Sequence, residues 1–159
     1  MYYKGKEFVS GFGFRQYEIS NFAIPGRECV HNLIYWHNEE YIGCGSGAHS
    51  YFNNERFSNT SDVREYIRAI NSGTQRISYR EKIEEKDERF ETIMLGLRLV
   101  EGVDKQRFKA RFGRCIEYYY GEAIKKLVKQ GLLIDDGASI RLTEKGMDVQ
   151  NVVLLEFMQ

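Results

Sequence analysis

The chain has 159 residues, 42% of them apolar, and carries 23 Lys and Arg against 23 Asp and Glu. That is enough apolar material for a core in one medium or two small domains, and the balanced charge excludes the surplus of cations that announces a nucleic-acid or anionic-membrane partner. No run of about 18 apolar residues offers a membrane span, and the opening MYYKGKEFVSGF lacks the apolar centre of a signal peptide, so a cytoplasmic location is expected.

The N-terminal part is aromatic and punctuated by glycine. Tyr17–Phe22 reads as a short strand or extended stretch. After it comes an HNxxYW box made of His31, Asn32, Tyr35 and Trp36, and then a GxGxGAHS segment with Gly43, Gly45, Gly47 and His49. Alternating glycines permit a close backbone approach, either to a ligand or to a neighbouring strand. Tyr51–Phe57 reads as a second extended stretch, and DVREYIRAIN (Asp62–Asn71) as a helix with Val63, Tyr66, Ile67 and Ile70 on one face. Residues 71–86 (NSGTQRISYREKIEEK) are polar, without apolar periodicity, and read as a linker.

The C-terminal part is more regular. A core helix is predicted over Asp87–Val100, with Phe90, Ile93, Met94, Leu97 and Val100 inward and Asp87 as N-cap. Asp104 then caps a short helix bearing Phe108 and Phe112 at i and i+4, which Gly113 ends. A third helix, Glu117–Gln130, turns Tyr120, Ile124, Leu127 and Val128 inward and stops at Gly131. Leu132–Ile134 and Ile140–Leu142 flank an Asp135-Asp136-Gly137 turn, the pattern of a β-hairpin. Thr143 caps a last helix, Glu144–Phe157, with Met147, Val153 and Phe157 inward.

The fold class is therefore α+β: a mixed α/β first part, residues 1–75, followed by a winged-helix-like domain, residues 76–159, whose hairpin is the wing. A winged helix invites a DNA-binding reading. From Lys86 onward, however, 13 Lys and Arg face 12 Asp and Glu, whereas a groove reader needs a basic stripe to displace counterions.

The cysteines, Cys29, Cys44 and Cys115, are odd in number and lie 15 and 71 residues apart. They fit reduced thiols rather than a disulfide frame, and their spacing assembles no iron–sulfur cluster. Cys29, His31, His37 and Cys44 lie close in sequence, yet no CxxC pair anchors a zinc site, and no GxSxG elbow supports a hydrolytic triad. No catalytic and no metal-ligating residue is assigned.

YEISNFA (Tyr17–Ala23), the Pro25-Gly26 pair, the HNxxYW box and YIGCGSGAHS (Tyr41–Ser50) together resemble the heme-chaperone branch of the oxygen-independent coproporphyrinogen III oxidase-like radical-SAM family. LGLRLVEG (Leu95–Gly102), RFG (Arg111–Gly113), GLL (Gly131–Leu133) and RLTEKG (Arg141–Gly146) resemble that family's C-terminal domain. Family members begin with a radical-SAM barrel bearing a CxxxCxxC motif. That motif is absent here, so the resemblance implies a non-catalytic C-terminal part that would not be an enzyme by itself, with residues 1–75 as the C-terminal edge of the barrel region and residues 76–159 as the family's C-terminal domain.

The resemblance implies that the box binds heme, with His31 able to ligate iron, Tyr35 and Trp36 offering flat faces to the porphyrin, and Asn32 able to hold the imidazole. The purely structural alternative has His31 and Asn32 capping a turn while Tyr35 and Trp36 fill the core. The glycine segment, by the same resemblance, lies near the S-adenosylmethionine and substrate pocket, with His49 pointing there. Its alternative is a strand packed against the barrel. The expected cofactors are heme in this region, and S-adenosylmethionine and a 4Fe–4S cluster in the full-length protein. Expected partners are heme or porphyrin, the parent barrel and a heme-accepting protein, with self-association through an uncovered face around Ile19, Phe22, Ile42 and residues 43–50. The alternative functions are part of a true oxidase that decarboxylates the propionates of coproporphyrinogen III, and a protein-interaction module.

Overall fold

The structure is a computed structural model that describes residues 1–158; Gln159, the last residue of the second expected domain, lies outside them. Contacts divide the chain into two compact units, residues 1–38 with 89–159, and residues 39–88.

The first unit opens with α1 (Tyr2–Ser10), which sequence reading did not anticipate because its side chains show no core periodicity: none of them is buried. Polar contacts hold it instead. Tyr2 Oη donates to the Ile19 carbonyl at 2.7 Å, and Lys6 meets Glu144 at 2.9 Å. The antiparallel pair β1 (Arg15–Gln16) and β2 (Phe22–Ala23) brackets the expected extended stretch, and α2 (Val30–Trp36) follows.

The second unit is a three-stranded antiparallel sheet of β3 (His49–Phe52), β4 (Glu55–Asn59) and β5 (Ile77–Lys82), with α3 (Val63–Ser72) inserted before the last strand. Asn53 and Asn54, at φ 53° and 57°, turn β3 into β4, the left-handed pair that matches strand twist. Asp62, read from the sequence as the first residue of the helix, is instead the N-cap of α3, accepting from the Glu65 N–H at 2.7 Å.

One expectation fails in this unit. Residues 71–86 are not a linker: β5 pairs along β4 from Ile77 to Lys82, with only Ile77 half-buried, so the strand is held by backbone hydrogen bonds and leaves no apolar signature. The compact units consequently do not divide at residue 75. The expected helix α3 forms, and its apolar face is uncovered. Val63, Ile67 and Ile70 are about half exposed, and Ala69 is the residue it buries.

The remainder of the first unit follows the winged-helix expectation. α4 (Glu85–Gly96) begins two residues before the predicted Asp87 cap and stops at Gly96, leaving Val100 exposed beyond its end. β6 (Val103–Asp104) leads into α5 (Lys105–Phe112), where Asp104 accepts from the Arg107 N–H at 2.7 Å and Gly113 takes φ 72°, both as read from the sequence. Then come α6 (Ile116–Lys129) and the wing, β7 (Leu133–Asp135) and β8 (Ser139–Leu142), with β6 completing a sheet in the order β6-β8-β7.

Val128 is exposed rather than inward. The buried stripe of α6 runs through Ile116, Tyr120, Ala123, Ile124 and Leu127, and Val128 falls at its edge; the helix kinks at Tyr120 (φ −129°, ψ 16°). The last helix is broken at Val149 into α7 (Glu144–Asp148), capped by Thr143, and α8 (Gln150–Leu155). Ile93, Leu97, Phe108, Phe112, Ile116, Ile124, Leu127, Ile140, Val153 and Phe157 form the core. No helix among the described residues is long and apolar enough to cross a membrane.

Lys105 joins the start of α5 to α6 and the wing through Glu117 at 2.6 Å and Asp135 at 2.5 Å. The hydrogen bond from Lys105 holds the Glu117 carboxyl below its ordinary range. Burial pushes Asp135 up, but the Lys105 hydrogen bond and the Gly137 N–H outweigh it, for a net lowering. Carboxyls depressed in the native state stabilise the fold above their ordinary values of 4.5 and 3.8, and that stability is lost as pH falls through the lower folded ones. Lys105→Met should therefore cost clearly more stability in urea titrations at pH 7 than at pH 3. An equal cost at both would show that the triad contributes no linked protons.

Candidate functional site

The box forms α2, a helix of seven residues with Cys29 in the N-cap position, no side-chain cap and no buried residue. A helix this short does not stand alone in water, so its partners decide its orientation.

Spacing of four residues splits the box into two faces. Asn32 and Trp36 share the inner one. The Asn32 amide nitrogen donates to Tyr17 Oη at 3.2 Å, and the Arg98 guanidinium lies over the Trp36 ring at 4.5 Å. Arg98 in turn meets Glu18 Oε2 at 3.1 Å, and Glu18 is fully buried.

At the C-terminal end, Asn38 turns left-handed (φ 51°) and is buried. Its side chain donates to Thr92 Oγ1 at 3.1 Å, and its carbonyl accepts from Arg111 at 2.6 Å. His37 sits between Glu101 and Arg107, at 3.4 Å from each. Helices α4 and α5 thus bolt down the helix's end.

His31 and Tyr35 share the outer face. His31 is exposed, and its ring meets Tyr35 edge-on at a centroid distance of 4.6 Å. The amide nitrogen of Asn32 is given to Tyr17 rather than to the imidazole, so Asn32 braces the helix instead of holding His31. Trp36 is half-buried with Arg98 over its ring.

Gly43, Gly45, Gly47 and His49 belong to the second unit. The Gly43 N–H donates to the buried Ser50 Oγ at 2.9 Å, and a Cβ at position 43 would lie 2.1 Å from the His49 carbonyl oxygen. Gly45 and Gly47 take φ 112° and 68°, a region that favours glycine. The Gly45 N–H donates to Tyr66 Oη at 3.2 Å, the Gly47 N–H to the Thr60 carbonyl at 2.8 Å, and the buried Asn59 side chain to the carbonyls of Gly43 and Gly45. These backbone groups serve the loop's own fold. His49 is exposed on β3, opposite Ser58.

Sequence reasoning missed Tyr17, Glu18, Asn38, Arg98 and Arg111 as supports of the box, and Asn59 as the clamp of the glycine loop. A faint signal existed for one of them: Arg98 is a charge inside the otherwise apolar stretch LGLRLV, where a charge needs a partner.

The thiols do not fit an iron–sulfur cluster. Cys29, Cys44 and Cys115 are each exposed and free, and among the described residues no three His, Cys, Asp or Glu side chains gather as a metal site.

Residues 83–149 match the HemN C-terminal domain family. The chain is 38% identical over 146 residues to the heme chaperone HemW of Lactococcus lactis, covering 92% of this chain and 38% of the relative. It is also 38% identical over 156 residues to the heme chaperone HemW of Bacillus subtilis, covering 94% and 40%. It thus spans about two fifths of the length of these relatives. Among solved structures, the radical SAM enzyme coproporphyrinogen III oxidase (HemN) from Escherichia coli has a similar fold, with a TM-score of 0.69 at 17% identity, covering 97% of this chain and 39% of that one.

Proposed function

Because this chain belongs to the HemN-like radical-SAM family, whose C-terminal region it represents, we propose that it binds heme for a chaperone of that family, with His31 as the iron ligand. The observation that carries this is the division of α2. An open imidazole stands on one face, while Tyr17, Arg98 and Asn38 fix the other face and the end. Iron ligation needs an accessible imidazole, and a site keeps its geometry when the residues behind it are locked.

His31 supplies the ligand and Tyr35 an aromatic edge beside it; Val30, 70% exposed, adds apolar surface at the mouth. Heme is cargo in this reading, and none of these residues performs a chemical step. The porphyrin-oxidase alternative rests on the match to the HemN C-terminal domain and a likeness of fold at 17% identity, whereas the heme-chaperone reading is supported by relatives at 38% over nearly the whole chain.

We propose further that a radical-SAM barrel, carrying S-adenosylmethionine and the cluster, covers apolar surface that each unit leaves open. In the second unit this surface comprises Ile42, Val63, Ile67 and Ile70, and in the first Phe8 and Phe12. The exposed reduced thiols support a cytoplasmic setting.

The test is a hemin titration. Trp36 is the sole tryptophan, so a porphyrin seated on α2 should quench its emission saturably, at one hemin per chain, in step with a Soret shift. Unsaturable binding that leaves Trp36 emission in place would overturn the assignment.

A further inference from the structure

We propose that Arg98, locked by the buried carboxylate of Glu18, is a positioning residue for α2: acting through Trp36, it sets the angle at which the helix presents His31. The inference rests on the heme-binding reading of that helix.

Glu18 is fully buried, and both carboxylate oxygens are engaged. Oε1 accepts from the Ser20 N–H at 2.8 Å and the Asn21 amide at 2.7 Å, and Oε2 accepts from Arg98 Nη2 at 3.1 Å. A buried charge needs such saturation. The backbones of the two residues are joined as well, since the Ile19 N–H donates to the Arg98 carbonyl and the Val100 N–H to the Tyr17 carbonyl, each at 3.1 Å. The guanidinium is therefore fixed at one edge and lies over the Trp36 ring at 4.5 Å, a contact in which a planar guanidinium can stack and an ammonium cannot.

Two details tie this pair to the orientation of α2. Arg98 Nε and Trp36 Nε1 are both buried where the guanidinium and the indole meet. The rung that carries Arg98 also carries Tyr17, which holds Asn32. One short bridge, Glu18 opposite Leu99, thus fixes both inner-face residues of the box. A helix of two turns rotates as a rigid body, so fixing Asn32 and Trp36 fixes the azimuth of His31 and Tyr35.

Arg98→Lys keeps a cation for Glu18 and removes the plane. In the hemin-free chain it should raise the acrylamide quenching constant of Trp36, with the far-UV spectrum unchanged. With hemin, affinity should fall about 2–30-fold, the span from an exposed to a desolvated cation–π contact, and the Soret band should broaden. In a Trp36→Leu background the same substitution should have no further effect on affinity, because the coupling runs through that ring. Glu18→Gln, which keeps the size of the side chain, is the second variant should Arg98→Lys unfold, and it should move both readouts in the same direction.

Unchanged quenching and unchanged hemin affinity in Arg98→Lys, while His31→Ala loses binding, would overturn the positioning role and leave the heme reading intact. Hemin binding that ignores His31 overturns the heme reading and this inference with it. The acrylamide contrast, which needs no hemin, tells the two failures apart.

Discussion

His31→Ala is expected to weaken hemin binding by at least about 10–100-fold, the loss seen when even an outer-shell partner of a metal ligand is removed, and to abolish the imidazole signature in the Soret region. The effect should be large because the ligand bond is the directional part of the interaction. Tyr35, beside His31 on the outer face, offers an aromatic ring that would contact a porphyrin without supplying the imidazole bond.

His37→Ala is the control for adventitious binding. Its imidazole lies at 3.4 Å from both Glu101 and Arg107 at the helix end, away from the open face. It should change affinity far less, acting only through the seating of α2. Equal affinity and identical spectra for His31→Ala and the unaltered chain would make His31 a surface residue of a structural helix.

Gly102→Ala is expected to destabilise the first unit by about 3 kcal/mol or more, the sum of a left-handed residue without glycine's freedom and an overpacked contact. Gly102 has φ 77° and is packed against the wing, where an added Cβ would lie 2.1 Å from the Ile140 carbonyl oxygen and 2.6 Å from Arg141 Cβ. Neither neighbour can yield, because Ile140 is paired on both sides, to Val103 of β6 and Asp135 of β7. For a chain of this size that cost corresponds to a melting point lower by roughly 6–12 °C.

Gly137→Ala isolates the conformational part. Gly137 also has a positive φ, 87°, but no atom lies within 4 Å of its added Cβ. It should cost about 1 kcal/mol. Should the two variants melt together, the close approach of the turn at Gly102 to β8 is not a constraint on the fold.

The sequence by itself determined what is encoded within one turn or one periodicity. Asp104 and Thr143 cap their helices because a short oxygen-bearing side chain reaches an N–H three residues on. Gly113 and Gly131 end theirs at φ 72° and 69°, where other residues are strained. Phe108 with Phe112 and the inward stripe of α6 followed from spacing, and the wing followed from its Asp-Asp-Gly turn. The residues of the box were legible too, as a pattern.

Tertiary structure alone decided what that pattern is. Because α2 buries no residue and has no capping side chain, its sequence carries no helical signal. Its inner and outer faces were assigned by Tyr17, Arg98 and Arg111, which lie between 15 and 73 residues away from the groups they hold. The strand at Ile77–Lys82 reads as a linker because its stabilisation is backbone pairing to β4, to which side-chain patterns are blind. The stripe of α3 marks a face without saying what covers it. Amphipathicity is a property of one element, whereas burial is a property of two, and the second partner is not written in the first one's sequence.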